Sequence, residues 1–242
     1  MNREYHKWYS TMLQRDMELL VFGHSGRVVL FFPTRMARFY DYENWGIIEV
    51  LREQLEKGYL QIYCVDSVDS ESFYNQAVEP SKRIIRHMEY ERYIIDEVMP
   101  FIRKKNNTDF MEVAGCSMGA FHAANIGLKH PGLFNKVICM SGRYDLTRLI
   151  GDFKDLFDGY RDENIYYNSP MQFIGNIHNT DIVDKLRSSE YIFAIGETDP
   201  FVDNNHEFTQ LLWEKGIPNN LYVWDNYAHK ARYWRQMVQL YL

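Results

Sequence analysis

From Arg27 onward the chain alternates short apolar runs with longer stretches that are apolar on one side only, and that rhythm admits few folds. The segments 27–32, 59–65, 110–114, 136–140, 191–195 and 221–224 are mostly apolar and of strand length, the pattern of strands covered on both faces. Between them the spacing predicts helices. Residues 44–57 carry Trp45, Ile48, Leu51 and Leu55 at three- and four-residue intervals and stop at Gly58. Residues 81–105 carry a stripe from Ile84 to Ile102, with a kink expected at Pro100. Further helices are predicted after Ser117 to His130, over 203–215 and over 229–242. Such alternation implies right-handed crossovers and a parallel sheet. Upstream, Met17, Leu19 and Val21 share one face, and the turn His24-Ser25-Gly26 leads into the 27–32 run, so the sheet starts antiparallel.

The predicted fold class is therefore α/β: a mostly parallel central sheet with an antiparallel N-terminal start and helices on both faces, in a single domain over 1–242. Residues 143–189 break the rhythm. They are polar, rich in Asp, Asn, Arg and Tyr, and read as a small cap-like insertion over one edge of the sheet. Charge excludes some partners. With 27 Lys and Arg against 33 Asp and Glu the net charge is −6, and no basic stripe is visible, so nucleic acid and anionic membrane are not expected partners. Three cysteines, Cys64, Cys116 and Cys139, are too few and too apolar in setting for a disulfide framework. There is no apolar run of about 18 residues and no secretory h-region at the start, so the expectation is a cytoplasmic protein.

Gly115-Cys116-Ser117-Met118-Gly119 carries the chemistry. The pentapeptide follows a predicted strand and precedes a predicted helix, the setting in which Gly-x-Ser-x-Gly makes a sharp turn that exposes the serine. A serine hydroxyl is a weak nucleophile until a base takes its proton, and the helix start offers Met118 N–H to a developing oxyanion. A plainer alternative is a strand-to-helix turn with Ser117 as its N-cap. A base and an acid should follow at the ends of later strands. His229 lies five residues past the run ending at Trp224, and Asp199 stands in the loop after 191–196, where it could instead serve only to form the turn before Pro200. Asp203 competes as the acid but occupies a helix N-cap position; Glu197 and Asp225 are weaker rivals.

On these residues the chain resembles the esterase family of α/β-hydrolases that includes esterase D-like S-formylglutathione hydrolases, feruloyl esterases, enterochelin esterases and antigen 85 mycolyltransferases. The resemblance also rests on the helix ending Asp96 to Ile102, on Lys129-His130-Pro131-Gly132-Leu133-Phe134, on Ser141-Gly142, on Gly196-Glu197-Thr198-Asp199-Pro200, and on His229 with Trp234 five residues later. It runs from about Arg27 to the end and is weakest over 143–189. It implies Ser117, Asp199 and His229 as nucleophile, acid and base of an acyl-transfer triad. The chain departs from the pattern after the 27–32 run, where such enzymes often carry glycines: here Pro33-Thr34-Arg35 follows, and the second oxyanion donor would be Thr34 or Arg35 N–H. The aromatic often found two residues after the histidine is Ala231.

The carboxylates of 66–72 match no complete calcium loop and read as a solvated rim, so no metal is expected, and no nucleotide-binding glycine pattern calls for a cofactor. The function expected is a serine hydrolase of small-molecule carboxylic esters or thioesters. The alternatives are an inactive binding module on the same fold, suggested by the Thr34-Arg35-Met36 loop, and an acyltransferase using the same triad; a homo-oligomer is compatible with all three.

Overall fold

The computed structural model describes residues 1–242. Eight strands form one sheet: β1 (Arg3–Ser10), β2 (Arg15–Phe22), β3 (Arg27–Phe32), β4 (Leu60–Val65), β5 (Met111–Cys116), β6 (Lys136–Met140), β7 (Glu190–Gly196) and β8 (Asn220–Trp224). Their spatial order is β1-β2-β4-β3-β5-β6-β7-β8. The β1–β2 and β2–β4 pairs are antiparallel and every later pair is parallel. The antiparallel start read from the sequence is therefore present, with β1 at one edge and β8 at the other.

Alternate residues of the inner strands bury into two cores, as a period of two demands. Val28, Leu30, Phe32, Val113, Val137 and Phe193 face one side, beneath α3 (Pro80–Tyr93), α4 (Met99–Lys105), α5 (Met118–Lys129) and α9 (Val202–Glu214). Val29, Phe31, Ala114, Cys116, Ile138 and Ala194 face the other, beneath α1 (Asp41–Asn44), α2 (Arg52–Glu56) and α10 (Ala231–Tyr241). No helix is long and apolar enough to cross a membrane.

Three expectations need correction. The helix predicted over 44–57 is broken: α1 ends at Asn44, the chain turns at Gly46 with φ 69°, and a 3-10 turn, Glu49–Leu51, leads into α2. The apolar spacing survives because Ile48, Leu51 and Leu55 still reach the core. The irregularity in the 81–105 helix is a π segment, Ile94–Val98, placed one turn before Pro100. Proline has no N–H to bond backward, so the preceding turn widens while the helix continues as α4. Residues 143–189 do not cover a sheet edge. They form the crossover between the interior strands β6 and β7, built from α6 (Glu163–Tyr167), α7 (Pro170–Phe173), a 3-10 turn Ile174–Asn176 and α8 (Thr180–Arg187). This crossover packs on α3, α5 and α9 and reaches over the carboxyl ends of the strands.

Candidate active site

The turn after β5 is built around a backbone that a serine adopts only under constraint. Ser117 has φ 56° and ψ −118°, a region costing about 1–3 kcal/mol for a residue with a Cβ. Its N–H bonds to Met140 O at 2.8 Å, which ties the turn to β6. Its side chain caps nothing, so the N-cap alternative fails, and the hydroxyl points elsewhere. Ser117 Oγ lies 2.9 Å from His229 Nε2, and His229 Nδ1 lies 2.7 Å from Asp199 Oδ2. The three residues predicted from chain order thus meet in one hydrogen-bonded line. The Asp199 carboxylate is fully buried, and its Oδ1 accepts Phe201 N–H at 2.9 Å. The rival carboxylates lie elsewhere: Glu197 accepts Asn226 N–H, and Asp203 sits inside the first turn of α9 rather than at its cap.

Close backbone approach sets these loops against one another, and two glycines permit it. A Cβ on Gly119 would lie 2.3 Å from Phe32 O and 2.7 Å from Pro33 O, so the loop after β3 can rest directly on the nucleophile turn. A Cβ on Gly196 would lie 2.2 Å from Tyr227 O, so the loop that carries His229 rests on the loop that carries Asp199. Tyr42 fastens the first junction: its hydroxyl donates to Phe32 O at 2.7 Å and accepts Cys116 N–H at 3.0 Å. The N–H groups of Met118, Thr34 and Arg35 make no hydrogen bond within the protein, and all three belong to segments that meet at this junction. Met118 and Arg35 line the same cavity as Ser117 and His229, about 270 Å³ in volume; Thr34 is buried and does not line it.

The acidic loop 66–72 is not a solvated rim, because Asp66, Asp69 and Ser72 are buried. Both Asp66 oxygens accept from Arg38 Nε, at 2.8 and 2.9 Å, and burial nonetheless holds that carboxyl above the usual carboxylate range. Asp69 Oδ2 accepts Met36 N–H at 3.1 Å, and its Oδ1 lies 3.2 Å from His122 Nε2. These carboxylates hold the loop that carries Thr34, Arg35 and Met36, the last of which sits at φ 58°.

Sequence reasoning missed Ser141, the first residue after β6. Its buried hydroxyl donates to Ala228 O at 3.1 Å and accepts Trp234 Nε1–H at 3.0 Å, clamping the residue before His229 to α10. The only sequence signal was Ser141-Gly142 at a strand end. The imidazole is walled by aromatic rings, Tyr227 stacked at 5.6 Å and Phe201 and Trp234 at 6.1 and 5.7 Å between centroids. Phe153 and Leu146, from the crossover, close the far side of the cavity.

Comparison with known proteins gives this geometry its setting. A curated acetyl esterase of Caldicellulosiruptor saccharolyticus is 25% identical over 151 residues, 58% of this chain and 55% of that enzyme, so the match spans about half the relative's length. A ferulic acid esterase structure superposes over 99% of this chain and 95% of its own with a TM-score of 0.78 at 20% identity. An S-formylglutathione hydrolase from Agrobacterium tumefaciens superposes over 99% and 94% with a TM-score of 0.75 at 16% identity. At such identities the two structures establish the α/β-hydrolase fold. The family described as "Putative esterase" matches residues 41–238, which takes in the serine turn, the acid loop and the histidine loop, and the chain belongs to that esterase family.

Proposed function

We propose that this protein is a serine hydrolase that cleaves carboxylic esters or thioesters through an acyl-enzyme. The observation that carries the reading is the line Ser117 Oγ, His229 Nε2, His229 Nδ1, Asp199 Oδ2, with both spans within 2.9 Å, at the floor of a cavity. His229 Nε2 takes the hydroxyl proton as Ser117 Oγ bonds to the carbonyl carbon, and the carbonyl π pair moves onto oxygen. Met118 N–H, with Arg35 N–H from the loop after β3, receives that oxyanion. The tetrahedral species collapses, the alcohol or thiol leaves with the proton carried by His229, and water repeats the sequence to release the acid. Asp199 remains a carboxylate throughout, fixing the tautomer and offsetting the imidazolium charge.

A fluorophosphonate probe labels native protein at Ser117, and Ser117→Ala abolishes both labelling and turnover of 4-nitrophenyl acetate. Asp199→Asn retains the geometry but presents the wrong tautomer, so its kcat falls by about 10⁴-fold. Labelling that persists in Ser117→Ala, or an Asp199→Asn enzyme within tenfold of wild type, defeats the assignment.

A further inference from the structure

The reaction cavity holds two cations that the protein does not neutralise. Arg143, in the segment after β6, is only 8% exposed. Its Nε donates to Asp145 O and its Nη2 to the carbonyls of Arg148 and Lys154, at 2.7–3.0 Å, while Nη1 bonds to nothing. No carboxylate lies within ion-pair distance of it, although buried guanidinium groups ordinarily have one. Of the nearby acids, Asp145 is committed to Thr147, Asp155 to Arg161 and Asp158 to Arg83, while Asp152 lines the outer cavity and pairs with neither arginine. Arg35, on the facing loop, is exposed and makes no side-chain hydrogen bond or ion pair, its guanidinium lying over the Tyr74 ring at 5.6 Å. Arg35, Tyr74, Arg143 and Phe153 line both the 270 Å³ cavity above Ser117 and a second cavity of about 350 Å³ outside it, so they form the neck between the two.

Two guanidinium groups without a carboxylate partner at one neck repel each other, and the buried one, Arg143, also bears a desolvation cost that an anion would offset. We propose that the ester taken by this site carries a carboxylate, held at the neck by Arg143 Nη1 and Arg35 while its ester carbonyl sits over Ser117. The inference rests on the hydrolase reading above and narrows it to anionic esters. The carboxylate belongs to the acyl part or to the alcohol part, and matched substrates separate the two: 4-nitrophenyl hydrogen succinate against its methyl-capped form, and 4-acetoxybenzoate against its methyl ester.

In one of these pairs kcat/KM favours the charged member at least tenfold. That ratio drops at least tenfold in Arg143→Gln and in Arg35→Gln, is largely restored in Arg35→Lys, and shrinks in 0.5 M NaCl. Arg143→Gln gives up three buried hydrogen bonds and could compromise folding; Arg35 is exposed, so its variants keep the test decisive. Charged and capped members within threefold of each other in both pairs, or a preference that persists in both Arg→Gln variants, overturn the proposal. A parallel arm is independent of turnover. Monomethyl succinate or 4-acetoxybenzoate raises the melting temperature of Ser117→Ala protein, and less so after Arg35→Gln is added; no rise with either compound in Ser117→Ala overturns the anion site. Absence of Ser117-dependent turnover of any ester, capped or charged, defeats the hydrolase reading instead.

Discussion

Ser141→Ala removes one buried oxygen and strands two partners, and the consequences can be worked from the contacts. Trp234 Nε1–H loses its acceptor and Ala228 C=O loses its donor, both in buried surroundings that water does not reach. Each orphaned group costs about 1–3 kcal/mol, and since the two share one bridge a combined loss of about 2–4 kcal/mol is reasonable. In a domain of this size that lowers the melting temperature by about 5–15 °C. The effect on chemistry is separate. The loop that carries His229 keeps three other ties, Glu197 N–H to Trp224 O, Thr198 N–H to Asn226 O and Asn226 N–H to Glu197 Oε1, so it loosens without detaching. A displacement of about 1 Å at a reacting group is worth up to 10²-fold, and with those ties intact kcat falls about tenfold while KM changes little. Ser141→Gly is the companion variant, because Ser141 sits at φ 55°, where glycine is unstrained. It loses the same hydroxyl with less damage to the backbone. Melting curves and steady-state kinetics with 4-nitrophenyl acetate test both. If kcat in Ser141→Gly stays within twofold of wild type, the residue is structural only and the positioning argument is wrong.

Gly119→Ala places a Cβ against Phe32 O and Pro33 O, so the loop after β3 must retreat and take its oxyanion N–H with it; kcat falls about 10²–10³-fold, although helix propensity alone favours alanine, and activity within threefold of wild type refutes the close approach. Glu112, fully buried on β5 with Arg27 Nη1 at 3.0 Å but outside hydrogen-bonding geometry, has its carboxyl pushed up by burial to about 7. The folded state therefore binds more protons there than the unfolded state between roughly pH 4.5 and 7, and stability from this group is present below that window and lost as pH rises through it. Glu112→Gln accordingly stabilises the protein more at pH 8 than at pH 5, by roughly 2–3 kcal/mol of difference; equal melting-point shifts at the two pH values contradict the raised carboxyl.

The parallel sheet was legible because its inner strands are buried on both faces and so read as unbroken apolar runs, with Val28–Phe32 and Val137–Met140 the plainest. What periodicity could not reveal was backbone continuity. Ile48, Leu51 and Leu55 reach the same core whether the chain between them is one helix or a turn, a 3-10 segment and a short helix, so the spacing is blind to the break at Gly46. The same blindness misplaced the acidic loop. Asp66 and Asp69 look solvated in sequence, and only tertiary contact with Arg38 and His122, 28 and 53 residues away, makes burial tolerable.

The candidate site divides along the same line. Ser117, Asp199 and His229 each stand just beyond the carboxyl end of a strand, and their order along the chain assigns each to a loop on one side of the sheet, so the residues could be named before any contact was known. Arg143 and Ser141 also follow a strand end, yet nothing local distinguishes them. Ser141 acquires its role from Ala228 and Trp234, 87 and 93 residues later, and Arg143 from a crossover that supplies three carbonyls and no carboxylate. The placement of Ser117, Asp199 and His229 follows from topology, whereas the anion selectivity proposed above rests on Arg35 after β3 and on Arg143 in the irregular segment between β6 and β7, where sequence pattern is weakest. That segment also packs on the serine turn, since Leu146, Leu156 and Phe157 share a buried cluster with Met118 and Phe121, so any exchange has to keep those positions apolar. A chimera that exchanges 143–160 for the corresponding stretch of another family member should keep fluorophosphonate labelling at Ser117 and lose the preference for charged esters; loss of labelling together with selectivity would show that the two are not separable.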